Sequence, residues 1–414
     1  MSIKLSRWMI AALIGFGLVL AIGACSEEEE EPKQSGTWIT SDNSWDWAFF
    51  GQRLALDGDN LAVIAPGGSS QATNPSLSGL FTFTRDSATG AWTETGFNSV
   101  STAGDSFGDS VAISGDQVMV GSRLFDVNPA TDPNSNEGAV YFYTRGVTQG
   151  SLVLSKVIAG AGFLGGKVSM EGDVALASGQ IGGVSGSGLL VFERDAGTRV
   201  WGMTGNIPNT VGVASLAQSG NLAIIGSISG NGPSNVTGSG VALVYQRDPG
   251  TGAWSEVAQL EADTPLAGQE FGYGVEIDGS YAAISTYSGS TGAETAFGEV
   301  YIFEDVGGTW TQVAKFTGDE SAGLNYYGRS MALHGDRLLV SDTPQTGQAV
   351  QPVVLHEYRR DATSGVWSET NVLTTLNQSY QDSEGLDFSA TEILIGEKSR
   401  YNMFAGAVNV MALP

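Results

Sequence analysis

Apolar and polar residues alternate in short runs along most of the chain, and glycine-containing turns separate the runs. Residues 107–122, FGDSVAISGDQVMVGS, contain an aromatic–glycine pair, an alternating run, a tight Gly-Asp turn and a second alternating run. Strict alternation predicts half-buried β-strands, and glycine in a two-residue turn suits the positive φ of a tight hairpin. The segment is therefore predicted to be a β-hairpin.

The same unit recurs along the chain at intervals of 48 to 59 residues. Its turns are centred on Gly58, Gly115, Gly172, Gly220, Gly279, Gly335 and, degenerately, Ala390. Each period holds four alternating runs, which in the second unit are SVAIS, QVMVG, AVYFYTR and SLVLSKV. Four short strands in a repeat of this length are typical of a propeller blade. The pattern predicts an all-β fold, a seven-bladed β-propeller of four-stranded blades over residues 37–414.

The two ends of the chain predict how the ring closes. The last unit has three strands and stops near Pro414, whereas Gly36 to Thr40 precede the first unit as a fourth strand normally does. We expect this N-terminal strand to complete the seventh blade and close the ring. A tryptophan opens six of the seven fourth strands, which indicates packing between blades rather than ligand contact. These tryptophans are Trp38, Trp92, Trp201, Trp254, Trp310 and Trp367.

The aromatic–glycine pair and the turn that follows it resemble the FG-GAP repeats of integrin α-subunit propellers and their bacterial relatives. The pairs are Phe50-Gly51, Phe107-Gly108, Phe271-Gly272 and Tyr327-Gly328, and Ala65-Pro66 partly matches the second half of the motif. The resemblance implies a propeller whose repeats often carry an Asp-x-Asp-x-Asp-Gly calcium loop between the first two strands.

That calcium loop is replaced here by the short Gly-Asp turn, which cannot wrap an ion, so we expect no cofactor. Calcium stays open at one weaker candidate in a different loop, formed by Asp132, Asn134 and Asn136. This loop lacks a closing bidentate carboxylate, and a turn-rich loop accounts for the same residues.

The N-terminal segment indicates export. Lys4 and Arg7 precede an apolar run from Trp8 to Ala24, which has the layout of a secretory signal and is short for a membrane span. The end of this run, Ile-Gly-Ala followed by Cys25, resembles the lipobox of bacterial lipoproteins. The resemblance implies that residues 1–24 are removed and that two or three acyl chains anchor Cys25 to the membrane. The alternative is an ordinary signal peptide with an incidental cysteine.

The residues after Cys25 predict where the folded part lies. Ser26 stands where an inner-membrane lipoprotein carries aspartate, which implies the outer membrane, on either its periplasmic or its cell-surface side. Residues 25–36 include five consecutive glutamates and are predicted to form a disordered acidic tether, because they offer little apolar area to bury.

The net charge of the chain argues against two classes of binding partner. There are 44 acidic and 19 basic residues, and the formal net charge is −25. Nucleic acids and anionic lipid headgroups require clustered lysine and arginine, so the balance argues against both. We expect a lipid-anchored monomer that binds a protein or a glycan.

Candidate binding residues fall on the face that carries the long connections, which join second to third strands and one blade to the next. The hairpin turns on the opposite face are short and uniform, and binding usually resides in variable loops on a rigid frame. Aromatic residues on the long-loop face could stack on sugar rings or anchor a protein; alternatively, each packs its own loop. They are Trp45, Trp47, Tyr287, Tyr326, Tyr380 and Tyr401.

Two carboxylates break the pattern of the innermost strands. Small residues, which suit the crowded axis, stand three positions before most of the turns, but Glu276 and Asp387 occupy this position in the fifth and seventh units. The hypothesis is that both face the central channel and bind a cation or a polar ligand group. The alternative is that they only reach channel water.

Motifs of catalysis are missing from the sequence. His334 and His356 do not have the spacing of metal ligands, and there is no Gly-x-Ser-x-Gly elbow, phosphate loop or catalytic cysteine. We therefore expect a membrane-anchored scaffold for binding or adhesion rather than an enzyme, with no catalytic residues. The alternatives are a polysaccharide-binding module and a hydrolase that uses the channel carboxylates.

Overall fold

The computed structural model shows seven four-stranded antiparallel sheets arranged as the blades of a propeller. The residues it describes are 37–41, 49–66, 78–100, 106–128, 130–132, 136–146, 152–160, 162–180, 187–208, 211–286, 298–318, 325–344, 351–379, 385–397 and 406–414. The prediction of an all-β, seven-bladed propeller is confirmed. Within these ranges no helix has the length and apolar character needed to cross a membrane.

The strands follow one another from the axis of each blade to its outer edge, as a meander does. The innermost strands are β2 (Arg53–Asp57), β6 (Phe107–Ser114), β10 (Val168–Glu171), β14 (Ser215–Ser219), β18 (Val275–Asp278), β22 (Asn325–His334) and β26 (Leu386–Phe388). The second strands are β3 (Asn60–Ala65), β7 (Gln117–Ser122), β11 (Val174–Gln180), β15 (Leu222–Ser227), β19 (Tyr281–Ser285), β23 (Arg337–Pro344) and β27 (Glu392–Glu397). The third strands are β4 (Ser78–Arg85), β8 (Ala139–Arg145), β12 (Ser187–Arg194), β16 (Val241–Arg247), β20 (Glu299–Val306), β24 (Gln351–Arg360) and β28 (Ala407–Ala412). The outermost strands are β5 (Trp92–Val100), β9 (Leu152–Ala159), β13 (Trp201–Pro208), β17 (Trp254–Leu260), β21 (Thr309–Thr317), β25 (Trp367–Ser379) and, from the N-terminus, β1 (Thr37–Ile39).

The N-terminal strand closes the ring, as predicted. Strand β1 pairs antiparallel with β28 of the seventh blade, and Trp38 lies opposite Asn409 in the register. Ile39 is buried in a hydrophobic cluster that joins Val408 and Val410 of the seventh blade to Phe50 and other residues of the first. The first and last segments of the chain therefore share one sheet.

The core lies between the blades. Within the described residues, seven hydrophobic clusters fill the seven interfaces between adjacent blades. In the cluster between blades four and five, for example, Ile224 packs with Ile284 and Tyr301. A single blade cannot bury both of its faces, so the apolar alternation on both sides of each sheet requires the ring.

The aromatic–glycine pairs are interblade contacts. Phe50, Phe107, Phe271 and Tyr327 are all almost completely buried. Phe271 forms a parallel bridge with Gly240 of the preceding blade. A Cβ on Gly226, in the same preceding blade, would overlap with the carbonyl oxygen of Gly272. Glycine is required where two backbones approach this closely, which is the physical reason for the motif.

Polar side chains fix the hairpin turns of neighbouring blades to each other. Asp57 Oδ2 accepts a hydrogen bond of 2.6 Å from the amide of Gly115, and Asp278 Oδ2 accepts one of 2.7 Å from the amide of Gly335. Ser114 Oγ accepts one of 2.9 Å from the amide of Gly172. In each case the residue before one turn glycine binds the turn glycine of the next blade.

The recurring tryptophans pack between blades, as expected. The Trp201 ring stacks on Phe142 of the preceding blade at a centroid distance of 4.7 Å, and its Nε1 donates to Gln117 Oε1 at 3.0 Å. Trp92 Nε1 likewise donates to Glu392 Oε2 of the preceding blade at 3.1 Å. Trp201 belongs to the hydrophobic cluster between blades two and three, and Trp92 packs against the cluster between blades seven and one.

Candidate functional site: the axial channel and its mouth

The innermost strands surround an axial channel of about 620 Å³. Each strand begins at the long-loop face and ends at a hairpin turn, so the channel has a mouth at the long-loop face and a turn end opposite. The residues three positions before the turns all line it. They are Ala55, Ala112, Ser169, Ala217, Glu276, Ala332 and Asp387.

Glu276 is partly buried in the channel wall and makes no hydrogen bond or ion pair among the described residues. Burial raises the pKa of its carboxyl group to about 8, with a further contribution from the negative charge of Asp387 and an opposing one from His334. The carboxyl group is therefore largely protonated at neutral pH. In that form it can donate a hydrogen bond or a proton to a molecule in the channel.

Asp387 is held by neighbours from three blades. Its Oδ1 lies 2.9 Å from His334 Nε2 and accepts a hydrogen bond of 2.8 Å from the backbone amide of Phe388. Its Oδ2 accepts a hydrogen bond of 3.1 Å from the amide of Leu56, in the first blade. A carboxylate with this many donors is well placed to orient the imidazole of His334, which is half exposed.

The pKa of His334 is raised. Burial acts to lower it, but the hydrogen bond and the charge of Asp387, together with the charges of Glu276 and Asp278, outweigh burial. The turn end of the channel thus combines a protonated carboxyl group with a histidine–carboxylate pair. Such a set can exchange protons near neutral pH, which supports both ligand binding and acid–base chemistry.

Within the described ranges, four charged residues line the mouth of the channel that were not singled out in the sequence. Arg53 is the first residue of β2, Lys167 directly precedes β10, and Asp109 and Arg329 lie on β6 and β22. They stand five or six positions before their turn glycines. The alternation that places Glu276 in the channel could have indicated Arg53 and Lys167. They stand two residues before Ala55 and Ser169, which line the channel, and so share a strand face with them.

Among the described residues, the mouth has three basic side chains, Arg53, Lys167 and Arg329, and one acidic side chain, Asp109. Arg123 Nε lies 3.0 Å from Asp109 Oδ2, and Arg53 Nε donates to the backbone carbonyl of Asp109 at 3.1 Å. Burial raises the pKa of Asp109, although Arg123, Arg53 and Lys167 all act to lower it. The pKa of Lys167 is lowered to about 8, mainly by burial and also by the positive charges of Arg53 and Arg123, while the charge of Asp109 acts to raise it.

Of the six aromatic candidates, Tyr326 is the one that lies within the described residues. It stands on β22, is partly buried, and has the guanidinium group of Arg329 over its ring at 5.2 Å from the centroid. This contact places Tyr326 next to a residue of the channel mouth. Trp45, Trp47, Tyr287, Tyr380 and Tyr401 lie outside the described residues, and so does Cys25.

The weaker calcium candidate falls on a loop whose residues form hydrogen bonds with one another. Asp132 is exposed, and its amide donates to the carbonyl of Asn128 at 2.9 Å. The amide of Asn136 donates to Asp126 Oδ1 at 2.7 Å. Asn134 lies outside the described residues, and within them no group of three or more histidine, cysteine or acidic side chains is arranged to hold a metal.

Comparison with protein families identifies the repeat. A family model described as "FG-GAP repeat" matches residues 98–143 and 254–303. Each range begins in the outermost strand of one blade, the first or the fourth, and runs through most of the first three strands of the next. The chain therefore carries FG-GAP repeats, in agreement with the resemblance of the aromatic–glycine pairs. No curated protein sequence matches the chain.

Solved structures with a similar fold share little sequence with this chain. A proposed 6-phosphogluconolactonase from Bacteroides uniformis has a TM-score of 0.55 at 14% identity, covering 81% of this chain and 89% of its own. The periplasmic gluconolactonase of Pseudomonas aeruginosa has 0.51 at 15%, covering 78% and 85%. A protein from Lactobacillus plantarum has 0.51 at 12%, covering 85% and 99%. At these identities the similarity concerns the fold.

Proposed function

We propose that this FG-GAP-repeat propeller is an exported, lipid-anchored binding protein that takes its ligand into the axial channel through the mouth on the long-loop face. The observation that carries the proposal is the channel of about 620 Å³ with ionisable side chains at both ends. Ligand pockets of folded proteins have volumes in this range and combine a shaped cavity with a few polar groups that fix orientation.

The attachment to the membrane is part of the proposal. The sequence at Cys25 supports a lipid anchor, and the acidic residues that follow it would hold the propeller away from the bilayer. The propeller would then meet its ligand as a monomer outside the cytoplasm. Replacing Cys25 by alanine should release the protein from the membrane fraction.

Blocking the channel tests where the ligand binds. Ser169 lines the channel and is partly exposed, so Ser169→Tyr should fill the space without removing a blade contact. Val153→Tyr, at an exposed position of the outermost strand β9, is the matched control. A thermal-shift screen of sugars, acidic sugars and glycan fragments identifies ligands, and calorimetry then measures their affinities. Binding should be lost in Ser169→Tyr alone, whereas equal affinity in both variants would contradict a channel site.

Hydrolysis is a second candidate, favoured by one observation. Glu276, with a pKa of about 8, shares the turn end of the channel with the His334–Asp387 pair, and such groups can serve as acid and base. Two of the structural neighbours are named as lactonases, so a sugar lactone is the first substrate to test. Turnover that disappears in Glu276→Gln would support a hydrolase. Absence of turnover in the wild type would leave the binding role.

The polysaccharide-binding alternative depends on the outer part of the long-loop face. Of the six aromatic candidates on that face, Tyr326 is the one within the described residues, and it lies next to Arg329. A glycan array with the wild type and Tyr326→Ala tests this role. Loss of glycan binding in Tyr326→Ala, with binding of small ligands in the channel retained, would place the glycan on the loops rather than in the channel.

A further inference from the structure

Basic residues are scarce in this protein, yet three of them line the channel mouth. The chain has 19 basic residues against 44 acidic ones. Arg53, Lys167 and Arg329 line the channel, and Arg123 lies at its rim beside Asp109. These residues come from four different blades, so the ring as a whole assembles the cluster.

The cluster brings basic side chains together around one partly buried carboxylate, that of Asp109. Arg53, Arg123 and Lys167 are all close enough to Asp109 to influence its ionisation, and of the carboxylates in the described part of the chain Asp109 is the one that acts on Lys167. Asp109 is already in contact with Arg123, so among the described residues no carboxylate contacts the ammonium group of Lys167. Like charges that are partly buried together disfavour each other, so folding alone gives no reason to gather them.

Lys167 is the residue whose charge is least compensated. No ion pair or hydrogen bond of its ammonium group occurs within the described part of the chain, and its side chain is partly buried in the channel wall. Arg53 and Asp109, in contrast, contact each other, and Arg123 contacts Asp109. The ammonium group is therefore available to a molecule that enters from the long-loop face.

We propose that the channel mouth binds the anionic group of an acidic small molecule, a carboxylate or a phosphate ester, through Lys167, Arg53 and Arg329. An anion placed there would accept charge-assisted hydrogen bonds from the ammonium group of Lys167, and such bonds are among the strongest in proteins. The rest of the ligand would extend down the channel toward Glu276, which can donate a hydrogen bond to a hydroxyl group. This inference rests on the proposed function and names its ligand class.

Calorimetry with the full chain tests the inference. The probes are glucuronate, inorganic phosphate and sulfate, and glucose is the neutral counterpart of glucuronate. The variants are Lys167→Gln and, as the matched control, Lys156→Gln, which removes an exposed lysine from the outermost strand β9. A hydrogen bond between charged groups accounts for roughly a tenfold or larger change in affinity.

The expected result is that at least one anion binds the wild type and Lys156→Gln equally, that Lys167→Gln binds it at least tenfold more weakly, and that glucose binds less well than glucuronate. Affinity for glucuronate should fall as the pH rises through about 8, because Lys167 loses its charge there. Lys167→Gln removes a partly buried charge, so it should be at least as stable as the wild type, and a thermal melt checks that it folds.

Two results would overturn the inference. One is that none of the three anions binds at millimolar concentration; the other is that Lys167→Gln and the wild type bind them equally. With either result, neutral glycans that bind the wild type but not Ser169→Tyr would show that the channel still binds ligands. Only the anionic ligand class would then be wrong. If neither class of probe binds, both proposals fail.

Discussion

The substitution Glu276→Gln should change how the stability of the propeller depends on pH. The folded state raises the pKa of Glu276 from 4.5 to about 8, so between these values the folded state holds a proton that the unfolded state releases. The stability of the wild type should therefore fall as the pH rises through this window. Glutamine has a similar shape and cannot ionise, so the variant lacks this loss.

The size of the effect follows from the shift in pKa. Each pKa unit corresponds to about 1.4 kcal/mol. A shift from 4.5 to about 8 therefore lowers the unfolding free energy at high pH by roughly 5 kcal/mol relative to low pH. A small part of this loss has occurred at about pH 5 and nearly all of it at about pH 8.5, so the wild type should lose about 3 to 4 kcal/mol of stability between the two pH values. Relative to the wild type, Glu276→Gln should gain this amount of stability.

Urea unfolding at the two pH values measures the effect, since the unfolding free energy is obtained at each pH from the midpoint and slope. Glu171→Gln, at an exposed position where β10 ends, is the matched control and should follow the wild type at both pH values. If Glu276→Gln differs from the wild type by the same amount at both pH values, Glu276 is ionised throughout. The description of the turn end would then be wrong.

Three further predictions concern the frame. Deletion of residues 37–40 removes β1 and the buried Ile39 side chain, and a differential scanning calorimeter should record a melting temperature several degrees lower; an unchanged value would contradict ring closure by this strand. Gly226→Ala should destabilise the protein by more than about 2 kcal/mol in urea, because its Cβ would meet a neighbouring backbone, whereas Gly202→Ala, which has open space, should not. Glu357→Ala should lower the unfolding free energy by about 3 to 5 kcal/mol by the same method, because the buried Glu357 carboxylate lies 2.8 Å from both Arg337 Nε and Arg359 Nε. A loss below about 1 kcal/mol would contradict this.

The frame could be predicted because it depends on local patterns that repeat. Alternation gave the strands, and the turn glycines, from Gly58 to Gly335, adopt the positive φ expected of them. Counting fourth strands was enough to place β1 in the seventh blade. The orientation of Glu276 toward the channel followed from the same alternation, because side chains two residues apart share a face of a strand.

The chemistry of the channel could not be predicted in the same way, because it depends on contacts between distant parts of the chain. His334 reaches Asp387 only because a residue before one turn lies beside the innermost strand of the next blade. Arg53, Asp109 and Lys167 are separated by more than 50 residues from one another and meet only in the closed ring. Neither the group of basic residues at the mouth nor the raised pKa of Glu276 is visible in any one repeat.

The central claim is that the propeller binds its ligand in the axial channel from the long-loop face. The most direct measurement is a crystal structure of the full chain soaked in selenate, whose anomalous scattering locates the anion. We expect a peak within hydrogen-bonding distance of Lys167 Nζ that is missing from Lys167→Gln crystals. A channel without such a peak, or the same peak in both crystals, would contradict it.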